Sequence, residues 1–229
     1  MLSPAGEDYL KAIYELGREG DGGAVTTSAL AEHLNIRKGS VTGMLKKLAR
    51  VRPGLVHYER YRGVRLTPAG ERAALQVLRH HRLLERFLSE RLGFGWDEVH
   101  TEADRLEHVI SEDLEERIAT QLGNPAIDPH GDPIPRRDGS LPRIKEISLT
   151  DLPPGQTAFV SRVGSEDPAL LRYLTKLGLQ LHARVQVTLK GPFEGPIEVR
   201  LLDGRTRHAL SRRVTDQVYV TVGTPQGRR

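Results

Sequence analysis

The chain has 229 residues, 38% of them hydrophobic, no cysteine and a formal net charge of +4, enough length and apolar content for one large or two modest cores and too much for disorder throughout. Without cysteine there is no disulfide, no thiolate zinc site and no cysteine nucleophile, so any metal must sit on oxygen and nitrogen. No run of roughly eighteen apolar residues occurs, and the start MLSPAGEDYL lacks the apolar block of a signal peptide, so the expectation is a cytoplasmic protein with no membrane partner.

Ser3 and Pro4 mark a helix start, and Tyr9, Leu10, Ile13 and Leu16 give an amphipathic helix ending near Gly17 or Gly20, with Asp8 on its first turns. After the glycine-rich turn Gly20 to Gly23, Thr26 or Thr27 caps a short helix through Leu34. Only Asn35-Ile36-Arg37 separates it from a second helix whose core stripe is Val41, Leu45 and Leu48, and two helices so tightly joined read as a helix-turn-helix.

The charge is concentrated here. Positions 37 to 65 hold nine Lys and Arg against Glu59 alone, a local +8 that leaves −4 for the remainder, the footprint of a segment lying along phosphates. Lys38, Ser40, Gly43, Lys47 and Arg50 face outward on the second helix, where Ser40 and Thr42 suit base edges and the cations suit phosphates. Leu55 to Tyr58 and Val64 to Leu66 flank the turn Glu59 to Gly63 and predict a hairpin, the wing of a winged helix, offering Arg60 and Arg62 at its tip. The expected DNA-facing set is Thr27, Arg37, Lys38, Ser40, Thr42, Gly43, Lys46, Lys47, Arg50, Arg60 and Arg62.

Thr67 and Pro68 open a long helix closed by Gly93. It carries His81 and Glu85 four apart on one face, with His80 turned about 100° away. Asp97 favours the first turn of the next helix, expected to run to about Leu122, where Gly123-Asn124-Pro125 stops it. Within it, HTEADRLEH at 100 to 108 places His100, Asp104, Glu107 and His108 in a sector of roughly 80°, beside an apolar stripe of Val99, Ala103, Leu106, Ile110 and Leu114. Ionised groups at the edge of a core need partners, and a divalent cation would satisfy these; the alternative is a charge-rich surface helix.

From Gly123 to Arg143 five of the fourteen prolines and three glycines predict an extended connector, with His130 on its surface. Beyond it lie four β-like runs, 158–160, 185–189, 197–201 and 218–222, with one helix near Pro168 to Leu177, suggesting a small barrel. The fold class is therefore a mainly α N-terminal part, a winged helix-turn-helix followed by a helical domain, and then a small β-barrel. The expected divisions are 1–70, 71–122, the connector 123–143, 144–223 and a fraying tail 224–229.

Taken together, EDYLKAIYEL at 7 to 16, SVTGMLKKL at 40 to 48, GLVHYERYRGVRLTPAG at 54 to 70, HRLLERFL at 81 to 88, HTEADRLEHVIS at 100 to 111 and NPAIDPHGDPIP at 124 to 135 resemble the diphtheria toxin repressor family of metal-dependent transcriptional regulators, especially its manganese-responsive branch. The region after about Ile144 looks like the Src-homology-3-like domain of the longer members. The resemblance implies a primary metal site of Asp8, Asp104, Glu107 and His108, a second site of His81, Glu85 and His100, and a homodimer on a palindromic operator in double-stranded DNA. It also implies control of metal-uptake genes and no small organic substrate. Iron-sensing members carry methionine and cysteine where Asp8 and Asp104 stand, so Mn²⁺ is the first expectation and Fe²⁺ the second. Short manganese regulators have a glutamate where this chain has Lys11, which argues against a two-metal cluster and for separated sites, with extra ligands from Ser165, Glu166 or Asp167. Two rivals remain at this stage: a metallohydrolase, disfavoured because no nucleophile, phosphate loop or acid-base pair is evident, and a winged-helix regulator of a small organic ligand.

Overall fold

The computed structural model describes residues 2–19, 23–142, 144–204 and 206–223. The expected tail 224–229 and most of the glycine-rich turn after the first helix lie outside the described residues. The elements in order are α1 (Pro4–Glu19), α2 (Thr27–His33), α3 (Lys38–Arg50), β1 (Val56–Glu59), β2 (Gly63–Leu66), α4 (Pro68–Leu92), α5 (Val99–Leu106) and α6 (Glu112–Gln121). They continue with β3 (Ile147–Ser148), β4 (Thr157–Val163), α7 (Pro168–Leu177), β5 (Arg184–Lys190), β6 (Ile197–Leu201), β7 (Arg207–Leu210), α8 (Arg212–Thr215) and β8 (Val218–Val222). The chain divides into two compact units. The first comprises Met1–His81, Arg105–Glu115 and Pro135–Ser140; the second comprises Arg82–Asp104, Glu116–Ile134 and Leu141–Arg229.

In the first unit, α1 to α3 and the β1–β2 hairpin close around Leu10, Ile13, Leu30, Val41, Leu45, Leu48, Val56 and Val64. Local chemistry sets the boundaries: Thr26 accepts a hydrogen bond from the Ala29 amide at 3.1 Å and caps α2, and Thr67 accepts from Gly70 at 3.1 Å at the start of α4. The hairpin pairs Val56 with Leu66 and Glu59 with Gly63, and Val25 bridges to Val64 on its other edge. Gly63 has φ +98°, and a Cβ there would meet the Val25 carbonyl oxygen at 2.5 Å, so only glycine admits this third strand-like contact.

The single helix expected from Asp97 to Leu122 is two. α5 ends at Leu106, the Val109 and Ile110 amides both return to the Leu106 carbonyl, and Ser111 starts α6 by accepting from the Leu114 amide at 3.2 Å. The apolar stripe ends with it: Val99 and Ala103 are buried, whereas Leu114 is 45% exposed.

The second unit is built on an antiparallel sheet of order β3-β8-β4-β5-β6-β7, with bulges at Val160/Arg162 and Val187/Leu189. Its pairing leaves β3 and β7 as outer strands rather than closing a ring, which corrects the expected barrel. Alternating burial along β4, β5 and β6 sends Ala158, Val160, Val185, Val187, Val199 and Leu201 into a core with Leu171 and Leu174 of α7. Asp167 caps α7 and Gly178, at φ +77°, ends it.

The proline-rich segment is packed rather than loose. Arg82 donates to the Pro133 carbonyl at 2.6 Å, Val163 donates to the His130 carbonyl at 2.9 Å, and a Cβ on Gly131 would lie 2.1 Å from the Ser161 carbonyl oxygen. His130 is accordingly not on the surface: it is 2% exposed, stacks on Trp96 at 5.9 Å and donates from Nε2 to the Trp96 carbonyl at 2.6 Å.

Candidate metal centres and nucleic-acid interface

In the first unit, Asp8 on α1 meets Glu107 and His108 on the turn after α5. The turn exists because α5 stops at Leu106, and it aims both side chains at α1. His108 Nδ1 lies 2.7 Å from Glu7 Oε2; a carboxylate only accepts, so Nδ1 donates there, and Nε2 is the atom that could face a cation. That Nε2 sits 2.9 Å from Asp8 Oδ1 and 3.5 Å from Glu107 Oε1. One ligand atom each from Asp8, Glu107 and His108 lies within 4.8 Å of the others. Two carboxylates and an imidazole oriented by a carboxylate behind it form a hard oxygen-nitrogen donor set that suits a divalent cation. Burial pushes the Asp8 carboxyl above its ordinary value, against the pull of His108 and Lys11.

Glu107 is almost fully buried, and two further groups hold it: His81 Nδ1 contacts its carboxylate, and Lys11 Nζ donates to Oε2 at 3.0 Å and Oε1 at 3.2 Å. His80 faces a different set. Its Nδ1 reaches the Glu107 carbonyl at 3.1 Å and its Nε2 lies 3.0 Å from Glu115, which also takes Arg79 at 2.6 Å. Burial alone would raise Glu115, but the bonds from His80 and Arg79 prevail and hold its carboxyl below the usual range. Burial likewise opposes charge on His80, and Glu115 overcomes it, raising that imidazole.

In the second unit, His100 gathers three carboxylates: Nδ1 is 3.4 Å from Glu85, and Nε2 is 3.3 Å from Asp104 and 3.0 Å from Glu166. The other Glu85 oxygen faces His130 Nδ1 at 3.8 Å. Burial works against the His130 charge, but Glu85 and Asp128 win, pushing the imidazole up to about 9.

Within their units, Asp104 pairs with His100, and His81 binds Glu107. Asp8, Glu107 and His108 lie together in the first unit, and Glu85 and His100 in the second. Sequence reasoning missed Glu7, whose only signal was its place beside Asp8 on the first turn of α1, and the buried pair Asp128 and His130.

The expected nucleic-acid face lies on the first unit's helix pair and hairpin. Arg37, Lys38, Ser40, Gly43, Lys46, Lys47, Arg50, Arg60 and Arg62 are exposed, and Thr27 and Thr42 are half-buried. Beside them at the hairpin tip stands Tyr61, 90% exposed, with the Arg60 guanidinium 4.8 Å from its ring.

A winged helix-turn-helix joined to a carboxylate-histidine cluster and a small β domain is the plan of a metalloregulatory DNA-binding protein. Residues 1–64 match the model of the iron dependent repressor N-terminal DNA binding domain, 67–136 its metal binding and dimerisation domain, and 147–222 the FeoA domain. The iron-dependent repressor IdeR of Mycobacterium leprae is 38% identical over 195 residues, 79% of this chain and 82% of that protein. The diphtheria toxin repressor of Corynebacterium diphtheriae is 38% identical over 134 residues, 58% of this chain and 57% of that one. Among solved structures, a manganese-dependent transcriptional repressor in complex with manganese superposes with TM-score 0.87 at 38% identity, covering 95% of this chain and 99% of that one. ScaR with bound Zn²⁺ gives 0.79 at 30% identity, covering 95% and 99%. The chain belongs to the iron-dependent repressor family of metal-dependent transcriptional regulators, whose members are DNA-binding repressors rather than enzymes. DNA and a second copy of the chain are its family partners, and no helix among the described residues is long and apolar enough to cross a membrane.

Proposed function

We propose that this protein is a manganese-responsive repressor, with iron the alternative metal, that holds a palindromic operator as a homodimer when Asp8, Glu107 and His108 share a cation. The observation that carries the reading is the two-sided use of His108, with Nδ1 on Glu7 and Nε2 turned to Asp8 and Glu107. Asp8 belongs to α1 of the DNA-binding part, so this cluster ties that part to the turn before α6. When bound, the cation supplies the positive charge that lets these ligands sit together ionised.

Glu85, His100, Asp104 and Glu166 form the second candidate site, and His81 holds Glu107 in position at the first. Oxygen and imidazole donors without thiolate support manganese over softer metals, although raw affinity favours zinc or copper, so selectivity rests on geometry and availability. The manganese complex among the structural relatives supports the same choice, and the iron-dependent relatives keep iron as the alternative.

Symmetry supports the palindrome. Two recognition helices of a dimer must meet major grooves about 34 Å apart or a multiple of it, and Val109, 74% exposed, and Leu114 give the first unit apolar surface suited to a protein contact. A metal shifts DNA binding only through its preference for the competent arrangement. Working on chromosomal DNA, the protein belongs in the cytoplasm, and metal-uptake genes are the natural targets.

The test is selection of bound sequences from randomised DNA by metal-stripped protein, run in parallel with chelator, Mn²⁺, anaerobic Fe²⁺ and Zn²⁺. A palindrome enriched only with metal is the expected result, at lowest free concentration with Mn²⁺. Equal enrichment with chelator would remove the metal switch.

A further inference from the structure

We propose that Lys11 is a built-in competitor of the metal: its ammonium satisfies Glu107 in the metal-free protein and raises the metal concentration at which the Asp8, Glu107 and His108 site fills. The inference rests on the reading of that cluster as a metal site.

Lys11 Nζ lies 3.0 and 3.2 Å from the two oxygens of Glu107 and 3.2 Å from His81 Nδ1. An ammonium has three hydrogens and no lone pair, so it holds Glu107 as a donor and cannot itself serve as a ligand while charged; His81 Nδ1, which contacts the same carboxylate, lies beside it. The Lys11 and Glu107 side chains are 12% and 1% exposed. Water therefore screens the pair poorly, and the Glu107 charge needs a cation before any metal arrives.

Lys11 stands three residues after Asp8 on α1, so the helix that presents one ligand also presents the competing charge. A divalent ion using Glu107 Oε1, the oxygen 3.5 Å from His108 Nε2, meets a carboxylate already shared with Lys11. Whether the ammonium withdraws or stays on the remaining lone pairs, its charge opposes the incoming one. The protein thereby gains a well-held metal-free state and a higher filling threshold than the ligands alone would set.

The experiment measures Mn²⁺ affinity by the loss of the free-ion electron paramagnetic resonance signal. It uses full-length protein in a His100→Ala background so that the second candidate site is silenced. Lys11→Met and Lys11→Gln should each bind Mn²⁺ at least about tenfold more tightly than the parent, the scale of an ordinary coupling between neighbouring sites. Lys11→Arg, which keeps the charge, should stay near the parent affinity. Metal-free Lys11→Met should melt at a lower temperature, because Glu107 has lost its counterion; if it does not fold, Lys11→Gln, which still donates to Glu107, carries the test. Unchanged or weaker binding in the neutral variants, with Asp8→Ala still abolishing binding, would overturn the role of Lys11 and leave the metal site standing. Binding by Asp8→Ala as tight as the parent would overturn both.

Discussion

The Nε2 atom of His108 lies 2.9 Å from Oδ1 of Asp8, joining the turn after α5 to the first helix of the DNA-binding part. The two residues are distant in sequence, and their meeting creates the donor set that Glu107 completes. Asp8 is half-exposed, with 45% of its side chain open to solvent, so truncating it should spare the fold. In a His100→Ala background at about 100 times the dissociation constant, the parent should gain roughly 2.7 kcal/mol from Mn²⁺. Asp8→Ala should lose most of that gain while its metal-free melting temperature stays within a few degrees. Thermal melts with and without Mn²⁺ check this, and an undiminished gain in the variant would remove Asp8 from the site.

Lys47 is exposed in the last turn of α3, on the face that carries Ser40 and Gly43. If it contacts phosphate, Lys47→Ala should weaken binding to all sequences alike and lower the slope of log affinity against log salt by about 1. Binding isotherms at several salt concentrations read this out. An unchanged slope would move the phosphate contact elsewhere.

Glu115 offers a stability test away from the metal. It is 6% exposed and holds both Arg79 and His80. Glu115→Gln should cost about 3 kcal/mol, the scale of a buried pair losing one charge. Because the folded-state carboxyl lies below its ordinary value, the contribution is present above the unfolded glutamate range and fades as pH falls through the folded value. Urea denaturation should find the parent and variant converging at acid pH and separated near neutrality. A constant gap would mean that the pair contributes through packing alone.

The elements whose signals are local were legible in the sequence. Thr26 or Thr27 before Leu30, Thr67 with Pro68, Gly93 after Leu92, and the helix near Pro168 to Leu177 each mark an end that the structure keeps, with Thr26 and Asp167 as the caps it selects. The break between α5 and α6 was not, because no glycine or proline marks it and the apolar period continues through Ile110 and Leu114. Ser111 decides it as a cap, and the break turns Glu107 and His108 towards α1 instead of leaving them on a helical stripe. The ligand types were legible from HTEADRLEH, but their partners were not. Lys11 meets Glu107 across 96 positions, Glu7 meets His108 across 101, and His130 is buried by Trp96 across 34. Proline and glycine around His130 correctly signalled irregular backbone, but burial depends on what that backbone packs against.

The measurement that bears most directly on the central claim is DNA affinity as a function of free Mn²⁺, using metal-stripped full-length protein and a sequence recovered by selection, near physiological salt. The account predicts a rise of at least about tenfold, within the usual range of site-to-site coupling, that Asp8→Ala and His108→Ala both abolish. Equal affinity in chelator and in saturating Mn²⁺, with the parent protein folded and metal-loaded, would contradict it.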